Sequence, residues 1–199
     1  KIISMQDDEG WFLEYEGCSP SYLTVTIDFL SQFHLHRPSD KLKKSILKSI
    51  DFFYDIQHPD GTCGGDYGSR NTCFFHPNGF EIMSSYSEKA SKIANSYLDA
   101  QEKNLYPVQD DDYTFAHSFI SNFYAYLNCK REDFNNFNHK NFQKDRIYNS
   151  AGFKIICRSG FWAIFNLKKA GLGKIYYNNI LKFNYSGVII KNNGNVYTN

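Results

Sequence analysis

The chain has 199 residues, 42% hydrophobic, 22% charged and 18% aromatic, and its 22 Lys and Arg against 21 Asp and Glu leave a formal net charge of +1. That composition excludes disorder, collagen and coiled coil, and near-neutral charge with scattered lysines offers no field to recruit nucleic acid or an anionic membrane. No apolar run approaches the roughly 20 residues that span a bilayer, and targeting is not legible from a start at Lys1.

The apolar pattern changes once along the chain. From Ser19 to about Cys129 it has helical spacing; from Gly152 onward it comes in short β-branched and aromatic runs broken by Gly and Asn. Ser19-Pro20 reads as a cap followed by Pro at the first helical position, opening a helix that turns Leu23, Ile27 and Leu30 inward and stops near His34. Ser39 caps a second helix, with Leu42, Ile46, Ile50 and Phe53 as one stripe and Lys41, Lys44 and Lys48 as the wet face. A third helix is expected from Gly79 to Gln101, with Ile82, Tyr86, Ile93 and Tyr97 or Leu98 on one side. A fourth is expected from Asp112 to Asn128, showing Phe115, Phe119, Phe123 and Leu127. Asp110, Asp111 and Asp112 read as partners of that helix's dipole, and His34 and His36 likewise at the end of the first.

Residues 131–150 are polar and aperiodic and read as a linker between a helical unit, 1–130, and a sheet, 151–199. Strands are expected at Phe153 to Arg158, Phe161 to Leu167, Gly173 to Tyr177, Tyr185 to Ile190 and Val196 to Thr198, forming an antiparallel meander. The fold class is therefore α+β: helical hairpins first, antiparallel sheet after. A sheet that ends with the chain and only four helices of a repeated hairpin architecture lead to the expectation of a segment of a longer protein. The five cysteines, Cys18, Cys63, Cys73, Cys129 and Cys157, share no metal or redox spacing and read as mostly buried free thiols, with a Cys63–Cys73 disulfide the one pairing left open.

Chemistry concentrates in two loops. Gln57 to Pro77 is far longer than a helix connection requires. Its glycines 61, 64, 65 and 68 permit close backbone approach, while Tyr67, Arg70, Asn71 and His76 bring a phenol, a guanidinium, an amide and an imidazole together. Neither Gly-x-Gly-x-x-Gly nor a Gly-Lys-Ser/Thr loop is present, so the glycines do not mark a nucleotide site. A loop before the first helix and a loop after the second lie at the same end of an antiparallel hairpin. Trp11, Glu14 and Tyr15 are thus expected to face Tyr67, Arg70 and His76 across a groove. Rings for stacking and forked donors for hydroxyls and carboxylates suit sugars. His117 reads as a core or supporting histidine; His58 and His139 are undecided.

In Gly10-Trp11-Phe12-Leu13-Glu14-Tyr15-Glu16-Gly17, in Asp60 through Thr72 and in Tyr185 through Thr198, the chain resembles heparinase II/III-type proteins. The resemblance implies an incomplete α/α toroid followed by an antiparallel β-sandwich, and a polysaccharide lyase that removes the C5 proton of a uronic acid and eliminates at C4. Under it, Asn71 or Arg70 neutralises the carboxylate, and Tyr67 or His76 serves as base and acid. A tyrosine base needs its pKa lowered from about 10, a task assigned to Arg70. Trp11, Glu14, Tyr15, Asp66 and Ser69 are the expected substrate-binding residues. The partner implied is an acidic polysaccharide or oligosaccharide. No cofactor is called for, and a divalent metal would belong to the missing part of the sandwich. The alternative is a glycan-binding or surface-polysaccharide assembly protein that uses the same groove without cutting. A lyase would be periplasmic or secreted, an assembly protein cytoplasmic.

Overall fold

The computed structural model describes residues 1–106, 112–130, 144–187 and 190–197. Among these residues five α-helices are followed by seven strands: α1 Pro20–His36, α2 Asp40–Ile56, α3 Asn78–Met83, α4 Glu88–Glu102, α5 Asp112–Asn128, then β1 Arg146–Tyr148, β2 Phe153–Arg158, β3 Phe161–Asn166, β4 Leu172–Tyr177, β5 Ile180–Tyr185, β6 Ile190–Asn192 and β7 Asn195–Tyr197. The fold is α+β, helices first and strands after. No described helix is long and apolar enough to cross a membrane.

The first hairpin forms for the reasons legible in its residues. Pro20 occupies the first turn of α1 and Ser39 Oγ accepts a hydrogen bond from Leu42 N at 3.4 Å to start α2, while Ser19 sits at the α1 cap position without such a bond. Leu42, Ile46, Ile50 and Phe53 are all buried. The expected third helix is two helices. Ser87 accepts from Ala90 N and restarts the helix after a break at Ser84–Ser87, because serine next to free backbone donors favours a cap over continuation. The break takes Tyr86 off the buried stripe: it is exposed, edge-on to His34 with Lys43 over its ring.

The orientation of α5 also differs from expectation. Phe119, Phe123 and Leu127 are exposed, whereas Ser121 and Ala125 are buried. A buried carboxylate decides this. Asp28 of α1 accepts from Ser121 Oγ (2.8 Å), Asn78 Nδ2 (2.7 Å) and Gln32 Nε2 (2.9 Å), and Asn78 Oδ1 in turn accepts from Asn128 Nδ2 (2.9 Å). α3 crosses α1 at Gly79, where a Cβ would lie 2.6 Å from the Asp28 Cα, so only glycine allows that approach. The small polar face of α5 turns inward to complete this network, and the aromatic face turns out. The side chains of Phe115 and His117, and residues Asp110, Asp111 and His139, lie outside the described residues.

The sheet is a sequential antiparallel meander, β1-β2-β3-β4-β5, with β6 and β7 as a separate hairpin. β1 lies in the stretch read as linker, pairing Arg146 with Ile155 and Tyr148 with Phe153. The fourth expected strand is displaced: β5 begins at Ile180, straight after a two-residue turn. Asn178 and Asn179 there take φ of 47° and 62°, a tight hairpin that Asn-Asn adopts at low cost. Asn193 and Gly194 turn the β6–β7 hairpin the same way.

One hydrophobic core runs from the helices into the sheet. Phe52 of α2 meets Tyr148 and Phe153 at ring-centroid distances of 4.7 and 6.4 Å, and Tyr67 meets Phe153 at 5.5 Å. The amino-terminal segment fastens the same seam, since the Glu9 carboxylate accepts from the backbone N–H groups of Ser150 and Ala151 at 2.9 and 2.8 Å. The glycine-rich loop therefore lies between helices and strands, with both layers shaping it.

Candidate functional site

The glycine-rich loop is built as two turns and a small hairpin. Asp60 Oδ1 accepts from Thr62 N (3.0 Å) and Thr62 Oγ1 (2.6 Å), fixing the first turn, and Gly65 pairs with Thr72 across the second. The sheet clamps it from the other side: Asn166 Nδ2 donates to Tyr67 O at 2.6 Å, and Lys169 Nζ donates to Asp66 O and Gly68 O at 2.8 Å each. The loop's outward residues are thus held on an ordered base.

The expected site residues divide into two groups. Glu14, Tyr15, Ser69 and Arg70 come together at the surface. Ser69 Oγ donates to Glu14 O at 2.9 Å, and the Arg70 guanidinium sits 4.1 Å above the Tyr15 ring. Exposed Asn71 follows Arg70 on this rim, while partly buried Asp66 holds the clamp through its carbonyl. Tyr15 is 65% exposed and takes φ of 57°, a left-handed conformation that costs a tyrosine about 1 kcal/mol or more. The tight Glu14–Gly17 pairing imposes it and sets the ring outward. Burial pushes the Glu14 carboxyl pKa up, and Arg70 opposes that shift.

Tyr67, His76 and Trp11 do not join this rim. Tyr67 is 1% exposed, and its phenol faces His58 Nε2 at 2.9 Å inside the core. Its pKa is therefore raised by burial rather than lowered, and Arg70, which was to lower it, lies over Tyr15 and Tyr22 instead. His76 is buried with Nδ1 3.5 Å from Asp28 Oδ2, and Trp11 is buried among the core residues, so neither offers a face to a sugar.

Sequence reasoning missed two rings of the rim, Tyr22 and Phe74. Tyr22 packs edge-on to Tyr15 at 6.5 Å and to Phe74 at 5.2 Å, extending the platform beneath Arg70. Tyr22 lies within α1, where helical spacing gives it no mark of its own. Also missed was an oriented chain of hydrogen bonds. Thr62 gives its hydroxyl proton to Asp60, so it accepts from His58 Nδ1 at 2.7 Å, which leaves Nε2 to accept from Tyr67. Burial keeps the phenol neutral, and with Thr62 donating to Asp60 this chain selects the His58 tautomer.

All five cysteines are free thiols. Burial pushes the Cys63 thiol from an ordinary 9.0 up to about 12, and Tyr67 and Tyr106 are raised in the same sense. The folded protein keeps protons that the unfolded chain releases, so their contribution is intact below about pH 9 and falls as pH rises toward 12. Thermal midpoints measured from neutral pH to about pH 11 are expected to fall above pH 9, less steeply in Cys63→Ala. An equal slope in wild type and variant would show that Cys63 has no part in it.

No family model, curated protein or solved structure matches this chain. No group of three or more His, Cys, Asp or Glu placed to hold a metal occurs among the described residues.

Proposed function

We propose that the protein binds an acidic glycan on the rim formed by Tyr15, Tyr22, Phe74 and Arg70, with Glu14, Ser69 and Asn71 at its edge. The observation that carries this reading is an exposed tyrosine, held at φ 57°, with a guanidinium 4.1 Å above its ring. Aromatic faces stack on the apolar faces of sugar rings, and a guanidinium fork meets a carboxylate with two parallel hydrogen bonds. Binding is favoured over β-elimination because the groups assigned to move protons, Tyr67 and His76, are 1% and 5% exposed. A role in handling or assembling acidic glycan, rather than cutting it, follows.

Calorimetric titration with uronic-acid oligosaccharides is expected to give saturable binding that Arg70→Ala and Tyr15→Ala each weaken about tenfold or more, with unchanged far-ultraviolet circular dichroism. Wild-type affinity in both variants would remove the rim from the reading. Growth of ultraviolet absorbance during the titration, from a C4–C5 double bond, would replace binding by elimination.

A further inference from the structure

A cavity is lined by residues other than those of the rim. It has a volume of about 660 Å³ and is walled by the Pro59–Cys63 turn, the residues following α4 and the β4–β5 hairpin. Lys103 and Lys174 line it together with the Tyr106 and Tyr176 rings and the hairpin amides Asn178 and Asn179. The volume is that of a small-molecule site, within the usual range of roughly 300–1,000 Å³.

Its electrostatics are specific. Among the described residues neither lysine makes an ion pair and Lys174 donates no hydrogen bond, so both ammonium groups stay available. Among the described lining residues the one acid is Asp60, whose Oδ1 accepts from Thr62 N and Thr62 Oγ1 and whose carboxylate also engages the Tyr176 phenol, so its charge is partly spent on its neighbours. Lys174 is half-buried and lies across Gly65: a Cβ there would meet its Cε and Nζ at 3.2 Å, so the glycine makes room for the ammonium beside the loop. Tyr106 is fixed by donating to Gly61 O at 3.0 Å, and Tyr176 is packed between His58 and Trp162. The walls are thus set before a ligand arrives.

We propose that this cavity binds a sugar-sized ligand bearing a tetrahedral oxyanion, a phosphate or sulfate ester. Ammonium groups are compact point charges, which suit a tetrahedral oxyanion, whereas the planar guanidinium fork matched to a carboxylate is found on the rim. The half-buried Tyr106 ring and the paired asparagine amides meet the sugar ring and its hydroxyls, while Tyr176, 1% exposed, backs the wall. The cavity and the rim use different residues, so each stands or falls alone.

The test is calorimetric titration of the whole chain with inorganic phosphate, glucose 6-phosphate, glucose 6-sulfate and glucose. Saturable binding of a glucose ester, tighter than inorganic phosphate and absent with glucose, is expected, with the tighter ester identifying the oxyanion. Lys174→Gln and Lys103→Gln should each weaken it about tenfold, while Lys174→Gln leaves oligosaccharide binding at the rim unchanged. Exposed Lys103 can be exchanged without disturbing the core, so its variant remains informative if Lys174→Gln destabilises the sheet. Equal binding of glucose and its esters, no binding of either ester, or ester binding that both lysine variants leave intact would overturn the proposal.

Discussion

Gly61→Ala is expected to be among the most damaging single changes in the chain, lowering unfolding free energy by on the order of 3–5 kcal/mol. Gly61 takes φ of 85°, and a Cβ there would lie 1.8 Å from Ser96 O and 2.7 Å from the Ser96 carbonyl carbon. These are backbone atoms of α4 and cannot rotate away, so the loop must leave the helix. When it does, Gly61 O gives up the hydrogen bonds it accepts from Gln57 Nε2 and Tyr106 Oη, and the cavity beside it loses a wall. Gly171→Ala is the matched control: its φ is 76°, yet nothing lies within 4 Å of the added Cβ. It should cost only about 1 kcal/mol, the backbone term alone. Urea unfolding of the two variants separates strain from collision; equal losses would refute the collision argument.

Asp28→Ala is the second large effect, with an expected loss of about 3–5 kcal/mol. The carboxylate is 2% exposed and joins α1, α3 and α5, accepting from Gln32, Asn78 and Ser121 with His76 Nδ1 at 3.5 Å. Alanine leaves those donors facing a dry space. Asp28→Asn keeps the volume and one acceptor, so it should lose less. Unfolding by denaturant orders the three proteins, and an Asp28→Ala variant as stable as wild type would mean that the network is dispensable. Because Asn78 also receives Asn128, the damage is expected to reach the end of α5, measurable as faster amide exchange there than in α2.

The two effects share a cause. The helical layer is tight where polar groups and glycines meet, at Gly61 on α4, at Gly79 on α1 and at Gly10 on α2, where a Cβ would lie 2.5 Å from Lys48 O. The glycine-rich loop passes through the first of these places, which is why its buried half is structural while its surface half, Ser69 to Asn71, faces solvent at the rim.

Local chemistry was sufficient for much of this. Periodicity placed α1, α2 and α5 and the first three long strands, because apolar spacing marks an element even where, as in α5, the stripe ends up exposed. The order of helices before sheet was legible from the change of apolar pattern, the free thiols from cysteine spacing, and the nearness of Glu14, Tyr15 and Arg70 from hairpin geometry, which puts both loops at one end. What tertiary structure alone decided was direction. Which face of α5 turns inward depends on Asp28, far away in the chain, and a stripe of Phe residues cannot outweigh a buried carboxylate in need of donors. Whether a loop tyrosine meets solvent or core depends on what the sheet brings to it. Tyr67 and Tyr15 look alike in sequence, yet Phe153 and His58 bury one while a left-handed turn exposes the other, because burial is set by long-range packing and not by the residues on either side.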